Sequence, residues 1–149
     1  MKRIVMSLTF AIVGLIAPAF AFADDEQECS VATLFGDYLF TGSADAPMYE
    51  HVATFPRVFA GVYTFDGEGN LSGVASQSRG GVTVTKIHVQ ATYTLDSECM
   101  GTVTFHPDEQ HFDIFIARDG NDGNFIRVDQ GTIATRTITR QDRANKKHK

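Results

Sequence analysis

Residues 61–75 read GVYTFDGEGNLSGVA, and the way this stretch turns at its centre decides the fold. Asp66-Gly67-Glu68-Gly69-Asn70 is either a calcium loop, with oxygen ligands alternating with glycine, or the corner of a β-hairpin. The flanks favour the corner. Gly61, Tyr63 and Phe65 share one face at alternate positions on one side, and Leu71, Gly73 and Ala75 do so on the other, the period-two spacing of strands. Setting Phe65 opposite Leu71 joins the two apolar faces, and the glycines permit the positive φ that such a corner requires. A calcium loop would draw a bidentate acid several residues further on, and none follows Asn70 before Lys86. Asp119-Gly120-Asn121-Asp122-Gly123-Asn124 reads as a corner for the same reasons.

Working outward, eight runs rich in Val, Ile, Phe, Tyr and Thr stand between Gly/Asp/Asn clusters, at about 34–42, 58–66, 70–78, 82–95, 99–106, 111–118, 124–129 and 132–140. All connections are tight except the first. An even-numbered meander of this kind removes both exposed edges by closing, so an all-β, single eight-stranded antiparallel up-and-down barrel is expected. Matching apolar faces across each turn sets Val89 opposite Phe105, Phe105 beside Phe112, Ile116 beside Ile126 and Val128 beside Ile133. In the fourth run the apolar phase switches from Val82 and Val84 to Ile87 and Val89, which predicts a β-bulge near Thr85-Lys86. The expected interior comprises Tyr38, Phe40, Phe59, Tyr63, Phe65, Leu71, Val84, Ile87, Val89, Tyr93, Val103, Phe105, Phe112, Ile114, Ile116, Val128 and Ile133, with Thr135 and Thr137 on the same face. Phe125 and Ile138 fall on the outer face, as candidates for a docking patch.

The ends bound the compartment. Lys2-Arg3, an apolar run from Ile4 to about Ile16 and Ala21-Phe22-Ala23 have the layout of a secretory signal peptide, residues 1–23. No second apolar stretch reaches spanning length, so a soluble secreted or periplasmic protein with no membrane span is expected. Cys29 and Cys99 are the two cysteines. In an oxidising compartment they read as one disulfide, for which closure of a loop of about 70 residues gives roughly 4 kcal/mol. A pair of free thiols is the alternative, though neither has a basic neighbour to activate it. Residues 24–139 carry six basic and seventeen acidic groups, a net charge of −11, which argues against a nucleic-acid partner. The barrel is expected over 24–141, with residues 142–149 a basic, solvated tail.

Gly36-x-Tyr38, GVYTFDGEGNLSG from Gly61, Ala91-x-Tyr93 and Cys99-x-Gly101-Thr102 together resemble a group of small exported bacterial proteins. These are similar to the barrel of allene oxide cyclases and, more loosely, to lipocalins. The resemblance spans about 31–141 and implies a barrel of the calycin type. It carries over no catalytic residue, because the cyclase substrate motif has no counterpart in GDYLFTGSADAP and the lipocalin tryptophan is missing.

An eight-stranded barrel either fills with side chains or holds one small apolar ligand. For the second case the candidate ligand-binding residues are Tyr38, Tyr63, Phe65, Tyr93, Phe105 and Phe112, whose hydroxyls and rings suit an apolar pocket with a few polar handles. The long first connection, with Met48, Tyr49, Val52 and Phe55, suits a lid or a plug. The expected register also aligns His88, His106 and His111, a spacing that zinc uses, on the face away from the apolar core. No nucleophilic triad, phosphate loop or buried carboxylate pair is evident, and no cofactor is expected. A small apolar molecule is the expected partner, and oligomeric state is left open. The alternatives are an isomerase or cyclase, with Glu50 or Tyr93 as its acid, and a non-catalytic interaction module.

Overall fold

The computed structural model describes residues 28–45 and 56–141, and the expectations for 1–23, 46–55 and 142–149, among them Met48, Tyr49, Glu50, Val52 and Phe55, lie outside the described residues. A 3-10 turn, Val31–Thr33, leads into β1 (Phe35–Asp45), β2 (Arg57–Asp66), β3 (Asn70–Arg79), β4 (Val82–Tyr93), β5 (Met100–His106), β6 (Gln110–Ile116), β7 (Asp122–Arg127) and β8 (Ile133–Arg140). Each strand pairs with the next, and β1 pairs with β8 from Tyr38↔Arg140 to Asp45↔Ile133, closing an eight-stranded antiparallel up-and-down barrel. No described helix is long and apolar enough to cross a membrane.

The corners explain the closure. Asp66 accepts hydrogen bonds from the backbone N–H groups of Glu68 and Asn70 at 2.7 and 2.9 Å, so its carboxylate is consumed in holding the turn. Gly69, at φ 104°, supplies the left-handed step. Asp96 repeats the arrangement, accepting from Glu68's counterpart Glu98 and from Met100, each at 2.9 Å. Here the left-handed residue is Cys99, at φ 67°. Its disulfide to Cys29, 70 residues away in sequence, ties the entry segment to this corner. The bond is compatible with an oxidising, extracytoplasmic environment.

Glycines on β1, β2 and β3 make room for rings on the neighbouring strand. Gly42 faces Phe59, Gly61 faces Phe40 and Gly73 faces Tyr63 in register. A Cβ on Gly61 would meet the Phe40 ring at 2.8 Å, and one on Gly73 would meet the Tyr63 ring at 2.8 Å. Aromatic rings laid over cross-strand glycines fill the gap that glycine leaves and let the sheet curl tightly. Phe40 and Tyr63 then stack at 3.7 Å between centroids.

The bulge falls where the phase switch placed it. Ala75 pairs with Ile87 but Gln77 pairs with Val84, so Thr85 and Lys86 together oppose Ser76, and Lys86 takes φ 57°. Three expectations need correction. The β4–β5 and β5–β6 pairings are each displaced by two residues, giving Ala91↔Phe105 and Val103↔Phe112: the Asp96 corner is a full five-residue turn, and the second corner pairs Phe105 with Gln110 across His106–Glu109; the faces are unchanged. The β6–β7 pairing is displaced by an odd number, with Ile116 opposite Gly123, so β7 and β8 present the reverse face. Phe125 and Ile138 are buried, whereas Val128, Ile133, Thr135 and Thr137 are exposed. Gly123 drives this: its missing side chain accommodates Ile116, whose Cδ1 lies 2.6 Å from where a Cβ would stand. Lastly, Val84 pairs with Gln77 near the strand ends and remains exposed, as the bulge leaves it beyond the packed interior.

Candidate functional site

The two ends of the barrel are built differently. At the end where β1 begins, Leu34 is completely buried and the 3-10 turn lies across the opening. The Tyr93 hydroxyl donates toward the carbonyls of Val31 (2.8 Å) and Leu34 (3.1 Å), and that of Tyr38 donates to the Gly120 carbonyl (2.6 Å). Arg140 donates to the Tyr38 oxygen and to the Thr33 carbonyl, and Phe65 packs edge-on against both tyrosines. Burial raises the Tyr93 pKa to about 12. Among the described residues, every buried polar side-chain atom of this end has a partner in the chain itself, and the end is closed.

Among the described residues the other end has no such cap. A cavity of about 270 Å³ opens there, lined on the inside by Phe40, Phe59, Tyr63, Ala75, Gln77, Ile87, Val89, Phe105 and Arg136, with Arg57, His88, His106, Pro107, Asp108 and Gln110 around its rim. It reaches the surface beside β4, which pairs with β5 only through Gln90–Tyr93. A larger hollow of about 650 Å³ lies against β8, β1, β2 and β3, among the outward-facing Thr41, Ser43, Val58, Ala60, Thr135 and Thr137, and shares Phe59, Gln77 and Arg136 with the inner cavity. The inner cavity is the better candidate site, since it brings rings, a phenol and guanidinium groups together.

Arg136 decides its electrostatics. Alternation along β8 sends Ala134, Arg136 and Ile138 inward, and Arg136 is 8% exposed. Its Nη1 donates to the Tyr63 hydroxyl at 2.7 Å. The guanidinium carbon lies 4.0 Å from the Phe105 ring centre, 4.4 Å from Phe112 and 5.1 Å from Phe59, within the range of cation–π attraction. Burial lowers the Arg136 pKa, against the opposing pull of Tyr63, and pushes that of Tyr63 up to about 12. Arg57, at the rim, is also lowered, first by burial and then by the charges of Arg127 and Arg79.

The sequence candidates thus fall into separate groups. Tyr63 and Phe105 line the cavity, and Phe112 lies fully buried beneath Arg136. Tyr38, Phe65 and Tyr93 belong to the sealed end. The histidine row is a correction: the shifted register puts Gln90 opposite His106 and Thr104 opposite His111, while His88 pairs with Val74. His106 instead contacts Glu109 and His111 contacts Asp129, each at 2.8 Å, and no metal-holding cluster occurs among the described residues. Sequence reasoning missed Arg136, whose inward phase depends on the odd displacement at Gly123. Comparison with family models, with curated proteins and with solved structures finds no match.

Proposed function

We propose that this protein is an exported, non-enzymatic barrel that binds a small apolar molecule in the mouth, at the end of the barrel where β1 ends and β2 begins. The observation that carries the reading is the contrast between the two ends. One is closed by its own backbone and tyrosines, while the other leaves an apolar, ring-lined cavity with a few convergent polar groups, the usual make-up of a ligand site. The signal-like residues 1–23 and the disulfide support export. Of the acids considered for a cyclase, Tyr93 is bonded into the sealed end, away from the cavity, which favours binding over catalysis.

Native mass spectrometry of protein purified from its own host compartment tests this. The expected spectrum carries an added small mass that is lost on denaturation. Neutral 1-aminoanthracene should bind the emptied protein with a rise in fluorescence, and Phe105→Ala should alter its affinity. A clean apo mass together with no probe uptake would sink the proposal.

A further inference from the structure

Among the described residues, Arg136 is the only charged side chain that is buried. Of the five N–H donors a guanidinium carries, one is used, on Tyr63. Nε is fully buried with no acceptor. Among the described residues no carboxylate forms an ion pair with Arg136, Arg57 or Arg79; Asp129 is held instead by Arg127 and His111. Asp108 stands at the rim, within 3.5 Å of Gln110. Arg140, four residues along the same strand, shows the contrast, with its donors spent on Tyr38 and Thr33. Arg57, Arg79 and Arg127 stand at the mouth ends of their strands, although Asp45, Asp108, Glu109 and Asp129 lie at the same end, so it is the burial of Arg136 and not a net basic charge that marks the site.

Resting on the reading of the mouth as a ligand site, we propose that its ligand is a small amphipathic monocarboxylate. The carboxylate is taken by the unpaired donors of Arg136, with Arg57 at the entrance, and the apolar body lies against Phe40, Phe59, Ile87 and Phe105. A carboxylate fits better than a phosphate. Its planar pair of oxygens matches the fork of a guanidinium whose faces are already covered by rings, leaving the edge for hydrogen bonds. Apart from Tyr63, Gln77 and Arg136 itself the inner lining is apolar, and a cavity of about 270 Å³ suits a short-chain or single-ring acid.

The test compares 3-phenylpropionate with its neutral counterpart 3-phenylpropan-1-ol by calorimetric titration of the folded, disulfide-bonded protein. The acid should bind more tightly by about tenfold to a hundredfold, the range of a charge-assisted hydrogen-bonded pair. Arg136→Met should level the two affinities, and Arg57→Ala should weaken the acid alone by a few fold. In the unmutated protein the Arg136 Nε–H resonance should move on adding the acid and stay put on adding the alcohol, which decides the matter even if Arg136→Met fails to fold. Equal affinity for both compounds would overturn the carboxylate inference and leave the apolar site standing. Binding of neither would overturn both. A preference for the acid that persists in folded Arg136→Met would remove Arg136 from the site.

Discussion

Replacing Arg136 by methionine and Tyr63 by phenylalanine together should leave the ligand-free barrel at least as stable as the native chain, although neither change alone should stabilise it. Holding an unpaired guanidinium in the interior costs several kcal/mol even after relaxation. Against this stand one charge-assisted hydrogen bond of 2.7 Å, worth about 1.5–3 kcal/mol, and cation–π contacts worth about 2 kcal/mol. A residual cost of about 1 kcal/mol remains. Arg136→Met alone relieves it but strands the buried Tyr63 hydroxyl, which costs about 1–3 kcal/mol, so the single variant should be neutral or slightly destabilised. Tyr63→Phe alone takes away the acceptor of Arg136 and should cost about 2–3 kcal/mol. The double variant removes both problems and gains sulfur–aromatic contacts with Phe105 and Phe112. Urea denaturation of the oxidised proteins gives the four stabilities of the cycle, with a coupling of about 3–4 kcal/mol between the two sites expected. Each kcal/mol should appear as about 4 °C in Tm for a domain of this size. If the double variant is less stable by about 2 kcal/mol or more with an unchanged m value, Arg136 is a structural tie and its burial is no longer evidence for a ligand.

The remaining predictions concern the frame. Cys29→Ser should lower stability by roughly 2–4 kcal/mol, since the bond closes a span of 70 residues; an unchanged urea midpoint would mean the staple contributes nothing. Gly61→Ala should cost about 1–3 kcal/mol, because its Cβ would press on the Val74 carbonyl and the Phe40 ring, and a thermal melt at or above wild type would contradict the ring-over-glycine packing. Asp129 has its pKa lowered to about 2, first by the hydrogen bond from Arg127, so its contribution is present above the ordinary carboxylate range and is lost as pH falls through about 2. Discounted for exposure to below about 1 kcal/mol, that contribution should be missing from Asp129→Asn above pH 4, with the two stability curves converging as acid is added.

Much of the frame was legible because strand alternation and turn chemistry are local. GVYTFDGEGNLSGVA carried its register, and the phase switch at Val84 and Ile87 located the bulge, since a one-residue insertion must show as a change of parity. The Asp96 corner held a signal that was passed over. Asp96-x-Glu98-x-Met100 has the spacing of Asp66-x-Glu68-x-Asn70, and treating the two alike gives the observed Ala91↔Phe105 pairing. The inverted β7 and β8 were not legible in the same way. Phe125-Ile126 and Thr137-Ile138 offer apolar residues to either parity, so the choice falls to Gly123 against Ile116, a tertiary contact. The site went with that choice, because the parity that buries Ile138 also buries Arg136, a residue no hydropathy pattern would place inside.

The measurement that tests the central claim most directly is an amide and methyl NMR titration of the isotope-labelled oxidised protein with 1-aminoanthracene. The account predicts shifts concentrated on Phe59, Ile87, Val89, Phe105 and Arg136 at the mouth, with Leu34, Leu71 and Ile114 unmoved. Shifts confined to Val58, Ala60 and Thr137 on the outer hollow, or a spectrum that does not change at all, would contradict it.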